Sequence, residues 1–303
     1  MGRRSKGRDV SGWLILDKPE ELGSTKAVGR VRWLFDAKKA GHAGTLDPLA
    51  TGVLPIAFGQ ATKTVPFVTD GTKGYRFTVR WGAATNTDDS QGEVVETSDI
   101  RPDRAAIEAL LPGFTGTVSQ VPPAFSAIKI DGERAYARAR DGEDVELAAR
   151  TVEIDTLDLV DCPDDETAVF EMDCGKGTYV RAIARDLGRK LGCLGHVTQL
   201  RRTYVEPFEE AQAVTLAQVE ALEGDHASLD ALLVSPLEAM DGFPTVRVDA
   251  DAARRITLGN AIILRGRDAP AEDTDVCAVH KGRLIAIGDV VQGQFEPRRV
   301  LGL

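Results

Sequence analysis

GHAGTLDPLATGVLP, residues Gly41–Pro55, sets one carboxylate, Asp47, between a leucine and a proline and surrounds it with glycines. An ionised side chain beside apolar neighbours is desolvated unless something pairs with it. Gly41, Gly44 and Gly52 allow positive φ or close approach to a ligand, and Pro48 fixes the residue after Asp47. Such a loop can hold a carboxylate in one pose. A structural hairpin whose aspartate only caps its own backbone fits the same residues. Downstream, Thr51–Phe58 reads as a strand closed by Gly59.

Working outward, Gly12–Asp17 predicts a short apolar strand closed by Lys18-Pro19. Ser24 is expected to cap a helix running to about Asp36, with Val28, Val31, Leu34 and Phe35 as its buried stripe. Over Tyr75–Arg80 the aromatic and aliphatic residues alternate with Arg76, Thr78 and Arg80, as in a strand with one buried face. Thr85–Gly92 is a polar turn whose Asp88 and Asp89 read as Asx-turn residues in preference to metal ligands. Asp103 can cap a short helix burying Ile107, Leu110 and Leu111. The VPPAF run ending at Phe125 is too proline-rich for an interior strand. Ser126–Ile130 is expected to be extended, Glu133–Arg140 helical, and Val145–Leu147 a strand.

In Thr151–Val160, Val152/Ile154 and Leu157/Leu159 lie out of phase, which predicts a bulge. Ala168, Phe170, Met172 and Cys174 form one face of the next strand. Gly175-Lys176-Gly177 then leads into a helix from Thr178 to about Leu191. Ile183, Leu187 and Leu191 mark its buried side, and Arg181, Arg185 and Arg189 form a second row. An arginine row is usually a solvated face. Arg181, in the first turn, also lies where helix N–H groups favour anions. His196 reads as structural. Residues 206–238 are expected to be helical, with a flexible loop around Gly224–Ser228. From about Met240, short apolar segments at Thr245–Val248, Ala261–Leu264, Val276–Val279 and Leu284–Ile287, with a helix near Asp251–Leu258, predict a small β-rich module.

Length, 303 residues, leaves room for two domains, expected over 1–238 and 239–303. No apolar run approaches the ~20 residues that span a bilayer, and no long apolar segment follows the basic start as in a secretory signal. Four cysteines, Cys162, Cys174, Cys193 and Cys277, are widely spaced, so reduced thiols in a cytoplasmic protein are expected. A net charge of −10 argues against a generally basic nucleic-acid binder. Its distribution softens the objection: residues 1–42 carry ten Lys/Arg against five Asp/Glu, and 171–202 carry seven against three. Acidic residues gather instead at Asp161–Glu166 and Asp268–Asp275.

The 41–55 loop closely resembles the catalytic loop of the bacterial TruB-type tRNA pseudouridine synthases. The likeness continues through LDKP at Leu16–Pro19, KGYRFTVRWG at Lys73–Gly82, TNTDDSQG at Thr85–Gly92, CGKGTYVRAIARDLG at Cys174–Gly188 and GCLGHVTQLRRT at Gly192–Thr203. Glu21 and Gly23 depart from the Gly and Ser of many relatives. The resemblance implies an α+β fold: a synthase core with a large mixed, mainly antiparallel sheet flanked by helices, plus a C-terminal PUA-like RNA-binding domain.

It also implies isomerisation of uridine to pseudouridine in tRNA, at uridine 55 of the T stem-loop, with base flipping and an essential aspartate. No cofactor or metal is expected, and the partner is tRNA, with no membrane and no obligate protein partner, the chain acting as a monomer. Asp47 becomes the catalytic carboxylate, attacking C1′ or, in another route, adding to C6 of uracil. His42, Tyr75, Tyr179, Arg181 and Leu200 become base and orientation contacts. Within that group Arg181 pairs with the carboxylate, Leu200 floors the pocket and His42 fills the space of the extruded base. Lys18 and Pro19 become structural support, and Lys176, Arg185, Arg189, Arg201 and Arg202 candidate phosphate contacts. Two other readings fit less well. An RNA-binding scaffold with an intact pocket keeps the motifs without the reaction. A carboxylate-based glycosidase needs a second carboxylate about ~5–10 Å from the first, where the expected partner of Asp47 is an arginine.

Overall fold

The structure, a computed structural model, describes residues 7–126, 128–130, 133–134, 147–264 and 270–302. It is a mixed α/β fold with a large mixed sheet and a smaller curled C-terminal sheet. The chain divides into two compact units. One comprises Met1–Pro48, Gly52–Thr69 and Val205–Leu303; the other comprises Leu49–Thr51 and Asp70–Tyr204.

In the first unit Gly12–Lys18 is almost wholly buried and apolar on both faces from Trp13 to Leu16. It pairs antiparallel with Thr51–Phe58, Leu16 opposite Leu54, and parallel with Val214–Thr215. Ala40–His42 pairs antiparallel with the far end of Thr51–Phe58, His42 opposite Ile56. The 41–55 stretch is therefore a hairpin, with Asp47 on its connection. Trp13, Ile15, Val53, Ala57 and Phe208 share the core beneath, and the Trp13 indole N–H donates to Thr64 Oγ1 at 3.1 Å.

Ser24 does not cap the Ser24–Leu34 helix. Gly23 occupies the cap, and Ser24 is buried as the first helical residue. Residues 206–238 are less helical than expected, with short strands at Phe208–Glu209 and Val214–Thr215 before the helices Leu216–Glu220 and His226–Ala231. Where a flexible loop was expected, the Asp225 carboxylate accepts from Ser228 N at 3.1 Å and starts the second of those helices. The C-terminal sheet runs Thr245–Arg247, Asp273–His280, Arg283–Val291, Gln294–Val300, Ile262–Ile263. Gln294–Val300 escaped sequence reading because QFEPRRV buries only Phe295 fully and carries a proline. Alternate residues of the sheet feed two clusters, one around Ile256 and the other around Met240 with Phe67, Leu237 and Phe243 packed against it.

In the second unit Lys73–Trp81 lies between Gly195–Val205 and Thr167–Cys174, followed by Arg150–Asp161 and Gly116–Gln120. Ala168, Phe170, Met172 and Cys174 are all buried, and Phe170 stacks on Phe77 at 5.3 Å. The out-of-phase pattern in Arg150–Asp161 is a register shift between Ile154 and Thr156. Asp103 caps its helix through Ala106 N at 2.7 Å. The helix expected over 133–140 fails at its start, since Glu133–Arg134 is a strand paired with Lys129–Ile130; residues 135–140, like 127 and the start of Val145–Leu147, lie outside the described residues.

The helix expected from Thr178 begins at Val180 and ends at Leu191, stopped by Gly192 in the left-handed region at φ 72°. Gly188, on that helix, meets the chain so closely that an added Cβ would lie 2.4 Å from both Gly195 N and Leu194 C. No helix among the described residues is long and apolar enough to cross a membrane.

Candidate active site

The Asp47 loop is held by the residues that precede the Ser24–Leu34 helix. Lys18, fully buried at 0% exposure, donates through Nζ to the carbonyls of Pro19 at 2.8 Å, Leu22 at 2.7 Å and Pro48 at 3.4 Å. Glu21 N donates to the Pro48 carbonyl at 2.8 Å, from a residue with φ 64°. Ser24 Oγ donates to Leu46 O and accepts from Leu46 N, both at 2.8 Å. Residues on either side of Asp47 are therefore tied to the turn between the buried side chains Lys18 and Ser24. Gly44 and Gly52 use the left-handed region, at φ 81° and 97°, whereas Gly41 does not. Asp47 and His42 are half-buried, and Pro19 is exposed beside Lys18.

Removing one of these ties should be visible. Ser24→Ala deletes both bonds to Leu46 and leaves a buried N–H and C=O without that partner, at a cost of about 1–3 kcal/mol. Denaturant unfolding should show that loss, and single-turnover rates a drop of several-fold. A variant as stable and as fast as the parent would release the loop from this control.

The second unit carries the rest of the expected set. Tyr75 is 9% exposed at the start of its strand, with Leu200 at 8% on the neighbouring one. Thr51 Oγ1 lies 3.5 Å from the Leu200 carbonyl and accepts from Arg201 Nη1 at 3.4 Å. Tyr179 is the N-cap residue of the Val180–Leu191 helix. The buried Gln120 amide grips its backbone from both sides, Nε2 donating to Tyr179 O at 3.1 Å and Oε1 accepting from Tyr179 N at 2.8 Å. Nothing in the sequence marks Gln120, a lone glutamine before a proline run.

The arginine row divides. Arg181 is 4% exposed and donates to Thr87 O at 2.7 Å and Phe125 O at 2.8 Å, with Nε 3.6 Å from Asp89 Oδ2. Arg185 is also buried, donating to Asp88, Asp186 and the Val121 carbonyl. Only Arg189 is exposed. Asp89 makes the expected Asx turn, accepting from Gln91 N at 3.0 Å and Thr87 Oγ1 at 2.6 Å. Among the phosphate candidates, Lys176 is exposed and 2.9 Å from Asp70, Arg201 is half-buried, and Arg202 is 1% exposed. Beside Arg202, burial lowers Lys73 to about 8, and the neighbouring guanidinium pushes the same way. His196, read as structural, is buried with Nδ1 2.9 Å from the Ala83 carbonyl.

Two family models match. The N-terminal domain of the TruB family pseudouridylate synthases covers residues 32–180, and the tRNA pseudouridylate synthase B C-terminal domain covers 181–240. A protein from Agrobacterium fabrum named tRNA pseudouridine synthase B is 57% identical over 306 residues, covering 99% of this chain and 97% of its own length. One of the same name from Rhizobium johnstonii is 56% identical over 304 residues, covering 98% of each. Among solved structures, a chain of an H/ACA RNP bound to a substrate RNA containing 2′-deoxyuridine has a TM-score of 0.73 at 19% identity, covering 100% of this chain and 92% of that one. A chain of a Cbf5-Nop10-Gar1 complex has a TM-score of 0.72 at 22% identity, covering 96% and 84%. Those two establish likeness of fold. Identity above half, from end to end, establishes more: the chain belongs to the TruB family of pseudouridylate synthases.

Proposed function

We infer that the chain isomerises uridine to pseudouridine in tRNA, at uridine 55. The observation that carries this is the full-length identity with proteins named tRNA pseudouridine synthase B. The reaction breaks the C1′–N1 bond and makes a C1′–C5 bond, so the atoms of the uridine are conserved. Asp47 acts as the ionised carboxylate, and its loop, tied by Lys18 and Ser24, supports that role by presenting one pose. Arg181 holds Asp47 charged and oriented, a task suited to a guanidinium that stays protonated and can make two parallel hydrogen bonds. The target base leaves its stack, as enzymes acting on a base require. Tyr75 stacks on it, worth about 1–3 kcal/mol, Leu200 floors the pocket and His42 takes the vacated space. Lys176, Arg189 and Arg201 contact phosphate.

Unmodified tRNA transcripts incubated with the purified protein should acquire pseudouridine at 55 when mapped by position. Modification confined to another position would reassign the substrate, and none at all would overturn the reading.

We also propose that residues 239–303 form a PUA-like RNA-binding module. A chain ended at Glu238 loses the sheet that covers Phe67 and Leu237, together with the bond from Lys63 Nζ to Val300 O. It should melt at a lower temperature and bind tRNA more weakly while still modifying a T-arm hairpin. Equal affinity for full tRNA would deny the module an RNA role.

A further inference from the structure

The two buried arginines of the Val180–Leu191 helix do the same thing twice. Each joins one carboxylate of the Asp88-Asp89 turn to one carbonyl of the segment that follows Gln120. Arg181 takes Asp89 and Phe125 O. Arg185 takes Asp88 Oδ2 at 3.2 Å and Val121 O at 2.7 Å, and its Nε donates to Asp186 at 2.8 Å. Thr87, whose carbonyl Arg181 holds at 2.7 Å, is one peptide bond from Asp88. Fixing Asp88 therefore fixes an acceptor of Arg181.

Asp88 is well placed to be fixed. Its backbone has φ 60°, a region that a non-glycine residue enters at a cost, and its carbonyl accepts from Val197 N at 3.1 Å. Side-chain exposure is 14% for Asp88 and 11% for Arg185, so solvent screens the pair little. Burial pushes the Asp88 carboxyl up, and Arg185 is the largest of the influences that bring it back down.

We propose that the Asp88–Arg185 ion pair is a positioning device for Arg181. It sets the register of the Thr87–Asp89 turn and of the Val121–Phe125 segment against the helix, so that three acceptors meet the Arg181 guanidinium in one orientation. The proposal rests on the reading that Arg181 orients Asp47. Arg185 acts through Arg181 and does not touch RNA.

The test uses the full chain and unmodified tRNA, with Asp88→Asn, Arg185→Lys, the double variant and Arg181→Lys. Asn tolerates the left-handed backbone, and Lys keeps the charge without the fork that spans Asp88 and Val121. Single-turnover rate at saturating tRNA, Kd at several salt concentrations and melting temperature are measured for each, with rates taken well below melting. Asp88→Asn and Arg185→Lys should each slow the saturated rate by about tenfold or more, since a misplacement near 1 Å can cost up to about 100-fold. Kd and its salt dependence should stay as in the parent, and the double variant should be no slower than the slower single one.

A merely structural pair would lower the melting temperature and leave the saturated rate intact, which overturns the proposal. So does weaker binding with a log K–log salt slope shallower by roughly 0.7–0.9 and a normal rate, the signature of a phosphate contact. If Arg181→Lys is slow while the other variants run at the parent rate, this proposal alone fails. If Arg181→Lys itself turns over normally, the reading of Arg181 fails first.

Discussion

Asp47→Asn is expected to bind tRNA and to leave uridine unchanged. The amide matches the carboxylate in size, so the loop ties through Lys18, Glu21 and Ser24 persist. What disappears is the negative charge and, on the proposed reading, the carboxylate that carries the chemistry. The saturated single-turnover rate should fall at least about a thousandfold, equivalent to about 4 kcal/mol of transition-state stabilisation. Melting temperature should move by a degree or two, and Kd by little. Parent-like turnover would remove Asp47 from the chemistry. Joint collapse of activity and melting temperature would instead favour an aspartate that only builds its own hairpin.

Lys18→Met should produce the largest loss of stability among single changes near the loop. Methionine is similar in length, but it has no donor for the carbonyls of Pro19, Leu22 and Pro48. The Pro48 carbonyl keeps Glu21 N, while the partly buried carbonyls of Pro19 and Leu22 lose this donor, so chemical denaturation should show a loss of about 2 kcal/mol or more. The saturated rate should fall as well, by about 100-fold, because Pro48 adjoins Asp47 and the carboxylate drifts with it. On the proposed reading the change leaves the base contacts Tyr75 and Leu200 untouched, so binding should fall much less than the rate. Unchanged stability would mean that the three carbonyls find other donors, and the buried amine would then be dispensable.

What the sequence disclosed follows from how much of each signal is local. Strands with one buried face, such as Thr167–Cys174, announce themselves through period-two patterning, and the bulge in Arg150–Asp161 was visible as a phase slip. Gly12–Lys18 and Thr51–Phe58 were legible as continuous apolar runs. The fate of Ser24 was not: a serine before a helical pattern is ordinarily a cap, and only its contact with Leu46, 22 positions away, turned it inward. The same holds for Arg185, whose row was periodic but whose acceptors lie at Asp88 and Val121. Charge on a helix looks solvated until the opposite surface is known. Gln294–Val300 was missed because a strand at that place can be polar on most positions when its partner supplies the core.

Gly188 has a consequence for how this helix can change over time. Its contact with Leu194 and Gly195 is between main chains, with no side chain able to swing aside, so a methyl group there would need the helix itself to retreat. The helix thus has a lateral stop made from absent atoms. Charges along it can be exchanged one at a time by ordinary drift, at positions such as Arg189, without altering where the helix rests. A side chain at 188 cannot be accepted on those terms, since it would carry Arg181 away from Thr87 and Phe125 along with everything else on the rod. Neutral variation is open to what the helix displays, and closed to where it stands.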